Sequence, residues 1–204
     1  MRQALAVALG TTILLAGCAP ATASRDAADA GREPDLVPAG FGTLKQDEFT
    51  IELRSGRLLV KLTPLAESVT RLGAPDTHAR LHALAARWSE EAARAAFTEQ
   101  PELFLVSFFS YEPDVTYQPE AVQLLHEGRL LRPAAIFPLK PDWGRQRLAQ
   151  QDPQSAVYVF DQRFDYELSI VLRYGLEQSD GWQRIVPRLQ TERARVLARA
   201  SSAR

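Results

Sequence analysis

The sequence predicts a mainly β domain with two helices, an α+β chain built as an antiparallel β-sandwich with one inserted helix and one C-terminal helix. Two patterns carry the prediction. About seven or eight short segments alternate apolar and polar residues, or run apolar on both faces, with turn residues between them. Two longer segments, near 75–97 and 187–200, instead repeat apolar residues at helical spacing. A body spanning 44–204 is long enough to bury one core and fits a single domain.

The clearest element comes first. Phe49, Ile51 and Leu53 alternate with Thr50, Glu52 and Arg54, and Leu58, Val60 and Leu62 alternate with Arg57, Leu59 and Lys61. A two-residue turn at Ser55-Gly56 would set Leu53 opposite Leu58, Ile51 opposite Val60 and Phe49 opposite Leu62, making a hairpin with one wet face. Pro64 ends it. Pro75-Asp76 then opens a helix whose stripe is Leu81, Leu84, Ala85, Trp88, Ala92 and Ala95, with Arg80, Arg87, Glu90, Glu91 and Arg94 off the stripe. Leu103 to Tyr111 is apolar on both alternating sets, as a strand covered on both faces is; the helix is its natural cover.

Shorter strands are expected at Val115–Tyr117, Ala121–His126 and Arg129–Leu139. In the last of these Pro133 and Pro138 mark an edge or broken strand. Lys140–Pro153 reads as a long loop and Ala156–Asp161 as a buried strand. Tyr166, Leu168, Ile170, Leu172 and Tyr174 give the longest clean alternation, and Gly175–Gly181 is a turn region. A terminal helix is expected from Pro187, with Leu189, Val196, Leu197 and Ala200 on one face and Arg188, Glu192, Arg195 and Arg199 on another. Strand number alone points to an immunoglobulin-like arrangement within the sandwich class; no Cys–Trp–Cys framework accompanies it.

Ahead of the domain, Arg2 precedes an apolar run from Ala4 to Ala16, and Leu15-Ala16-Gly17 leads into Cys18, the single cysteine. A basic start, a short apolar stretch and small residues at a cut site are the marks of a secretion signal. The run is too short for a spanning helix, which needs about 20 apolar residues. With a cysteine directly after the site, Leu15-Ala16-Gly17-Cys18 resembles the lipobox of bacterial lipoproteins. That resemblance implies a signal peptide at 1–17, a diacylglyceryl group on the Cys18 sulfur, and an acylated (palmitate-type) new amino terminus. Two or three chains on one cysteine anchor stably where one does not. Ala19 rather than an aspartate implies, by the same resemblance, sorting to the outer membrane, facing the periplasm. Residues 18–43, rich in Ala, Asp, Pro and Gly and with Leu36, Val37 and Phe41 as their few large apolar residues, read as a flexible tether.

Composition excludes several classes. Removing 1–17 takes away Arg2 and no acid, leaving 23 basic and 25 acidic residues, net −2. A balanced chain lacks the positive field that nucleic-acid binding requires, so no nucleic acid is expected. Only Lys45, Lys61 and Lys140 are lysines; the other 21 basic residues are arginines. With Cys18 acylated, no thiol remains for a disulfide, a nucleophile or a metal. A Gly-x-Ser-x-Gly elbow, a Ser-x-x-Lys pair and a glycine-rich phosphate loop are all missing.

A few side chains invite a functional reading beside an ordinary one. His78 and His82 are four apart on the first helix and project together, as two metal ligands do, with His126 or an acid as a third. No glutamate sits between them in the metalloprotease pattern, and histidines at the boundary of an apolar stripe are the commoner outcome. No catalytic residue, metal or cofactor is therefore expected, with His78 and His82 the weak metal candidates. Asp161, Asp165 and Glu167 offer hard oxygens for calcium, against solvated acids at a strand connection. Arg188, Arg195 and Arg199 suit lipid phosphates, against a solvated helix face. Trp143 and Trp182 are binding anchors or, more simply, core closures.

The expectation that joins these readings is a non-enzymatic binding module, held to the membrane through acylated Cys18 and engaging an envelope protein partner. An envelope hydrolase using carboxylates, in a loop such as Lys140–Pro153, is one alternative. A carrier for an apolar ligand, held between the sandwich and the Leu81–Trp88 helix, is another.

Overall fold

The structure is a computed structural model and describes residues 36–203. It is mainly β, with antiparallel pairing in all three sheets and two long helices. Strands β1 (Ile51–Ser55), β2 (Leu58–Pro64) and β3 (Glu102–Phe109) form a meander. β9 (Gln154–Phe160) and β7 (Ala135–Pro138) complete a five-stranded sheet in the order β1-β2-β3-β9-β7. A second sheet runs β11 (Glu177–Ser179), β10 (Ile170–Tyr174), β5 (Val122–His126) and β6 (Arg129–Leu131). β4 (Val115–Thr116) and β8 (Arg147–Leu148) make a small third pair. The three-strand meander differs from the two sheets of the immunoglobulin arrangement. Strand number does not determine strand order, so that finer expectation fails within a correct class.

One face of the five-stranded sheet carries Ile51, Leu53, Val60, Leu62, Phe104, Val106, Phe108, Ala156 and Tyr158, all buried. Val122, Leu124, Ile170 and Leu172 of the second sheet join the same core. Aromatic side chains lock the layers. Phe108 stacks on Tyr117 with centroids 4.6 Å apart, Phe104 meets Phe160 and Phe164 edge-on, and the Tyr158 hydroxyl donates to the Pro119 carbonyl at 2.9 Å. The opposite face of the large sheet is split. Helix α2 (Pro75–Ala96) packs across β9 and β7, where Trp88 stacks on Phe137 at 4.9 Å. Beyond the helix the same face is polar, and a shallow recess there is lined by Gln46, Asp47, Thr50, Lys61, Thr63 and Ser107.

The α2 stripe packs as its periodicity predicts, with Leu81 and Ala92 fully buried and Leu84, Ala85 and Trp88 packed against the core. Five details depart from expectation. The hairpin turn is Gly56-Arg57, so Leu53 faces Val60 and Ile51 faces Leu62. Gly56 takes a φ of +57°, the backbone state that a side chain resists, and this sets the turn. A slip of two residues leaves every side chain on its expected face. The alternation 166–174 pairs only from Ile170, because the Asp165 carboxylate accepts the Glu167 N–H and folds the chain into a turn. The 175–181 region adds β11 to its turn. The last helix, α3 (Trp182–Ser202), begins before Pro187 because Trp182 and Ile185 bury their side chains. A short helix, α1 (Glu67–Thr70), lies where no element was expected.

The packed chain also begins ahead of residue 44. Val37 is buried and Phe41 packs against the core. Leu44 N–H donates to Leu72 O at 3.1 Å and Ala74 N–H to Leu44 O at 2.8 Å, bridging this strap to the turn between α1 and α2. Linker-like composition hid the few apolar residues that do the packing. Residues 1–17, Cys18 and most of the expected tether lie outside the described residues.

Candidate functional site

The strap and the two helices beside it bring three candidate side chains together. Pro75 fixes the first turn of α2, placing His78 and His82 one turn apart on the side facing α1. Glu67, the first residue of α1, points back at both. Its carboxylate lies 3.2 Å from His78 Nε2 and 2.5 Å from His82 Nδ1. Arg71, one turn further along the chain, donates from Nε to Glu67 Oε2 at 2.6 Å and from Nη1 to the Val37 carbonyl at 3.2 Å. Burial alone would raise the Glu67 carboxyl. Hydrogen bonds from Arg71, His82 and His78 more than offset it and hold the group at about 2, ionised over the whole physiological range. The rings of His78 and His82 sit 5.6 Å apart, the first largely covered, the second more than half exposed.

Glu67 is the acid that the helix spacing alone left unnamed. Among the described residues, Glu67, His78 and His82 are the one set of three potential ligand side chains whose donor atoms converge. A lone acid between Pro64 and Pro75, eleven residues before His78, was the available signal, but no element had been assigned there to aim it. His126 lies elsewhere. It is buried on β5 and stacked on Phe164, with Nδ1 donating to Ser169 O at 3.0 Å and Nε2 accepting the Asp165 N–H at 3.2 Å. Both ring nitrogens are used and one tautomer follows.

Most of the other candidates have partners within the fold. Glu167 accepts from Gln190 and Arg193, and Asp165 caps the Glu167 amide, so these acids do not join Asp161 in a calcium-ligating set. On α3 each arginine has an acid: Arg184 with Asp180, Arg188 with Glu48, Arg193 with Glu167, and Arg195 and Arg199 with Glu192. In the 140–153 loop, Asp152 pairs with Lys140 and Asp142 accepts from Gln154. Trp143 and Trp182 are both buried. The Trp143 carbonyl accepts from the Tyr117 hydroxyl at 3.0 Å, and Trp182 Nε1 donates to the Tyr166 carbonyl at 3.1 Å. No helix among the described residues is long and apolar enough to cross a membrane. The chain matches no protein-family model, no curated protein and no solved structure.

Proposed function

We propose that the chain is an envelope lipoprotein, anchored to the outer membrane through acylated Cys18 and facing the periplasm, whose body is a non-enzymatic binding module for an envelope protein. The anchor half of this reading rests on Leu15-Ala16-Gly17-Cys18. The binding half rests on one observation: the core, including the space between the sandwich and α2, is filled. Phe104, Phe108, Tyr158 and Phe160 are fully buried in the sandwich core, and under α2, where a carrier would hold its ligand, Leu81 and Ala92 are fully buried and Trp88 stacks on Phe137 at 4.9 Å. The loop carboxylates that a hydrolase would aim at a substrate are instead tied to Lys140 and Gln154.

The anchor is tested by mass spectrometry of the mature amino terminus and by labelled palmitate. The expected result is a chain that begins at Cys18 and carries label, with none in Cys18→Ala. An unlabelled wild-type chain would overturn it. The binding half is tested by cross-linking in cells of the native organism and by assaying the purified protein for hydrolysis. One envelope protein enriched with the wild-type chain is expected; measurable turnover that survives further purification would sink the non-enzymatic reading.

A further inference from the structure

We infer that Glu67, His78 and His82 form a binding site for a zinc-class divalent ion, with a fourth position open to solvent. The inference stands on the placement of three donors and does not depend on how the chain is anchored. One potential ligand atom from each residue lies within 4.8 Å of the other two. Metal bonds of about 2.0–2.2 Å at a tetrahedral centre set ligand atoms ~3.3 Å apart. The 3.2 Å from His78 Nε2 runs to Glu67 Oε2, the oxygen that Arg71 holds, so the carboxylate must turn to bring Oε1 between the two rings. The 2.5 Å between Glu67 and His82 must widen, and the two rings must close on each other. His82 can make both adjustments because its side chain is 57% exposed on the helix surface.

The donor set chooses the ion. Two imidazoles and one carboxylate suit zinc, nickel or copper, whereas calcium and magnesium seek oxygen shells. Three protein ligands leave one place for water, the pattern of an open zinc site. Arg71 supplies the outer support: it holds Oε2 of Glu67, leaving Oε1 directed toward His82. Its charge also makes the site weaker than the same three ligands without a cation beside them. The two helices that the ion would join differ in strength. α1 is four residues long, α2 is twenty-two, and the ion would brace the short one against the long one where the strap crosses their connection.

The test uses the full-length protein in detergent, stripped with chelator, and zinc chloride as the probe. Calorimetric titration should give one equivalent per chain, with a rise in Tm, and cobalt chloride should give the intense visible bands of a four-coordinate site. His82→Ala and His78→Ala should each lower zinc affinity at least tenfold. Because His82 is exposed, His82→Ala should leave the metal-free Tm within ~2 °C of wild type, which separates lost ligation from lost folding. No heat and no Tm shift up to millimolar zinc would overturn the site. So would binding that persists unchanged in His82→Ala.

Discussion

Two glutamates, Glu192 buried and Glu102 half-buried, take opposite sides of the same balance, and each makes a prediction. Glu192 on α3 is 1% exposed, yet it accepts from Thr43 N at 3.0 Å, Thr43 Oγ1 at 2.8 Å and Arg199 Nη1 at 2.9 Å. Burial raises its carboxyl, but those donors outweigh burial and bring the group below the usual 4.5. A lowered carboxyl contributes stability above its unfolded pKa and loses it as pH falls through the folded one. Glu192→Gln should therefore cost about 1.5–3 kcal/mol at pH 7, as expected for hydrogen bonds to a charged group. Urea unfolding from pH 7 down to 3 should show a shallower acid decline in the variant. Glu102 behaves inversely. Burial raises its carboxyl, and the bonds from the Tyr166 hydroxyl at 2.8 Å and the Phe164 amide only partly offset that. A raised carboxyl is tolerated when protonated and costs stability as pH rises. Glu102→Gln, which still accepts from Tyr166, should have a higher Tm than wild type at pH 7, and the difference should shrink toward pH 4. Equal Tm values at both pH values would remove Glu102 as the source.

At the scale of elements, the strap 36–44 is the part that composition concealed. Its approach to the α1–α2 connection depends on Gly42: a Cβ there would lie 2.4 Å from Gly73 O and from Leu72 C and O. Those atoms are backbone and cannot swing away. Gly42→Ala should cost about 1–3 kcal/mol as overpacking and loosen the strap, read as faster proteolysis after residues 36–43 with the sandwich intact. An unchanged digestion pattern and Tm would mean that the strap does not depend on this contact. The sequence was legible where one period ran unbroken. The apolar stripe of α2, the two-faced β3 and the broken edge segment at Pro133 and Pro138 all follow from local pattern. It was illegible where tertiary burial outweighed local chemistry. Pro187 looked like a helix start, but buried Trp182 and Ile185 extend α3 ahead of it. Tyr166 and Leu168 fitted a strand period, but the Asp165 turn removed them from the ladder. Glu67 needed the same knowledge: only a turn that folds α1 back on α2 brings it to the two histidines.

At the scale of the described body, the pairing of charge on α3 bears on how it meets a membrane. The arginines of α3 face acids within 4 Å. Paired surface charges add little to stability, but they cancel the local field that would draw a helix to anionic headgroups. The expected mature chain is net −2, which such a surface repels. Of the exposed large apolar residues, Phe97 follows the end of α2, Leu130 lies on β6 and Leu176 sits in the turn between β10 and β11. The chain beginning at residue 18, made without acylation, should therefore remain with the soluble fraction when mixed with vesicles rich in phosphatidylglycerol. The acylated protein should float with them, and salt should change neither result. Flotation of the non-acylated chain, abolished by 0.5 M salt (a Debye length of about 4 Å), would instead assign membrane contact to the basic residues of α3. The body would then lie against the bilayer, and the surface that faces a partner would be narrowed to the opposite side.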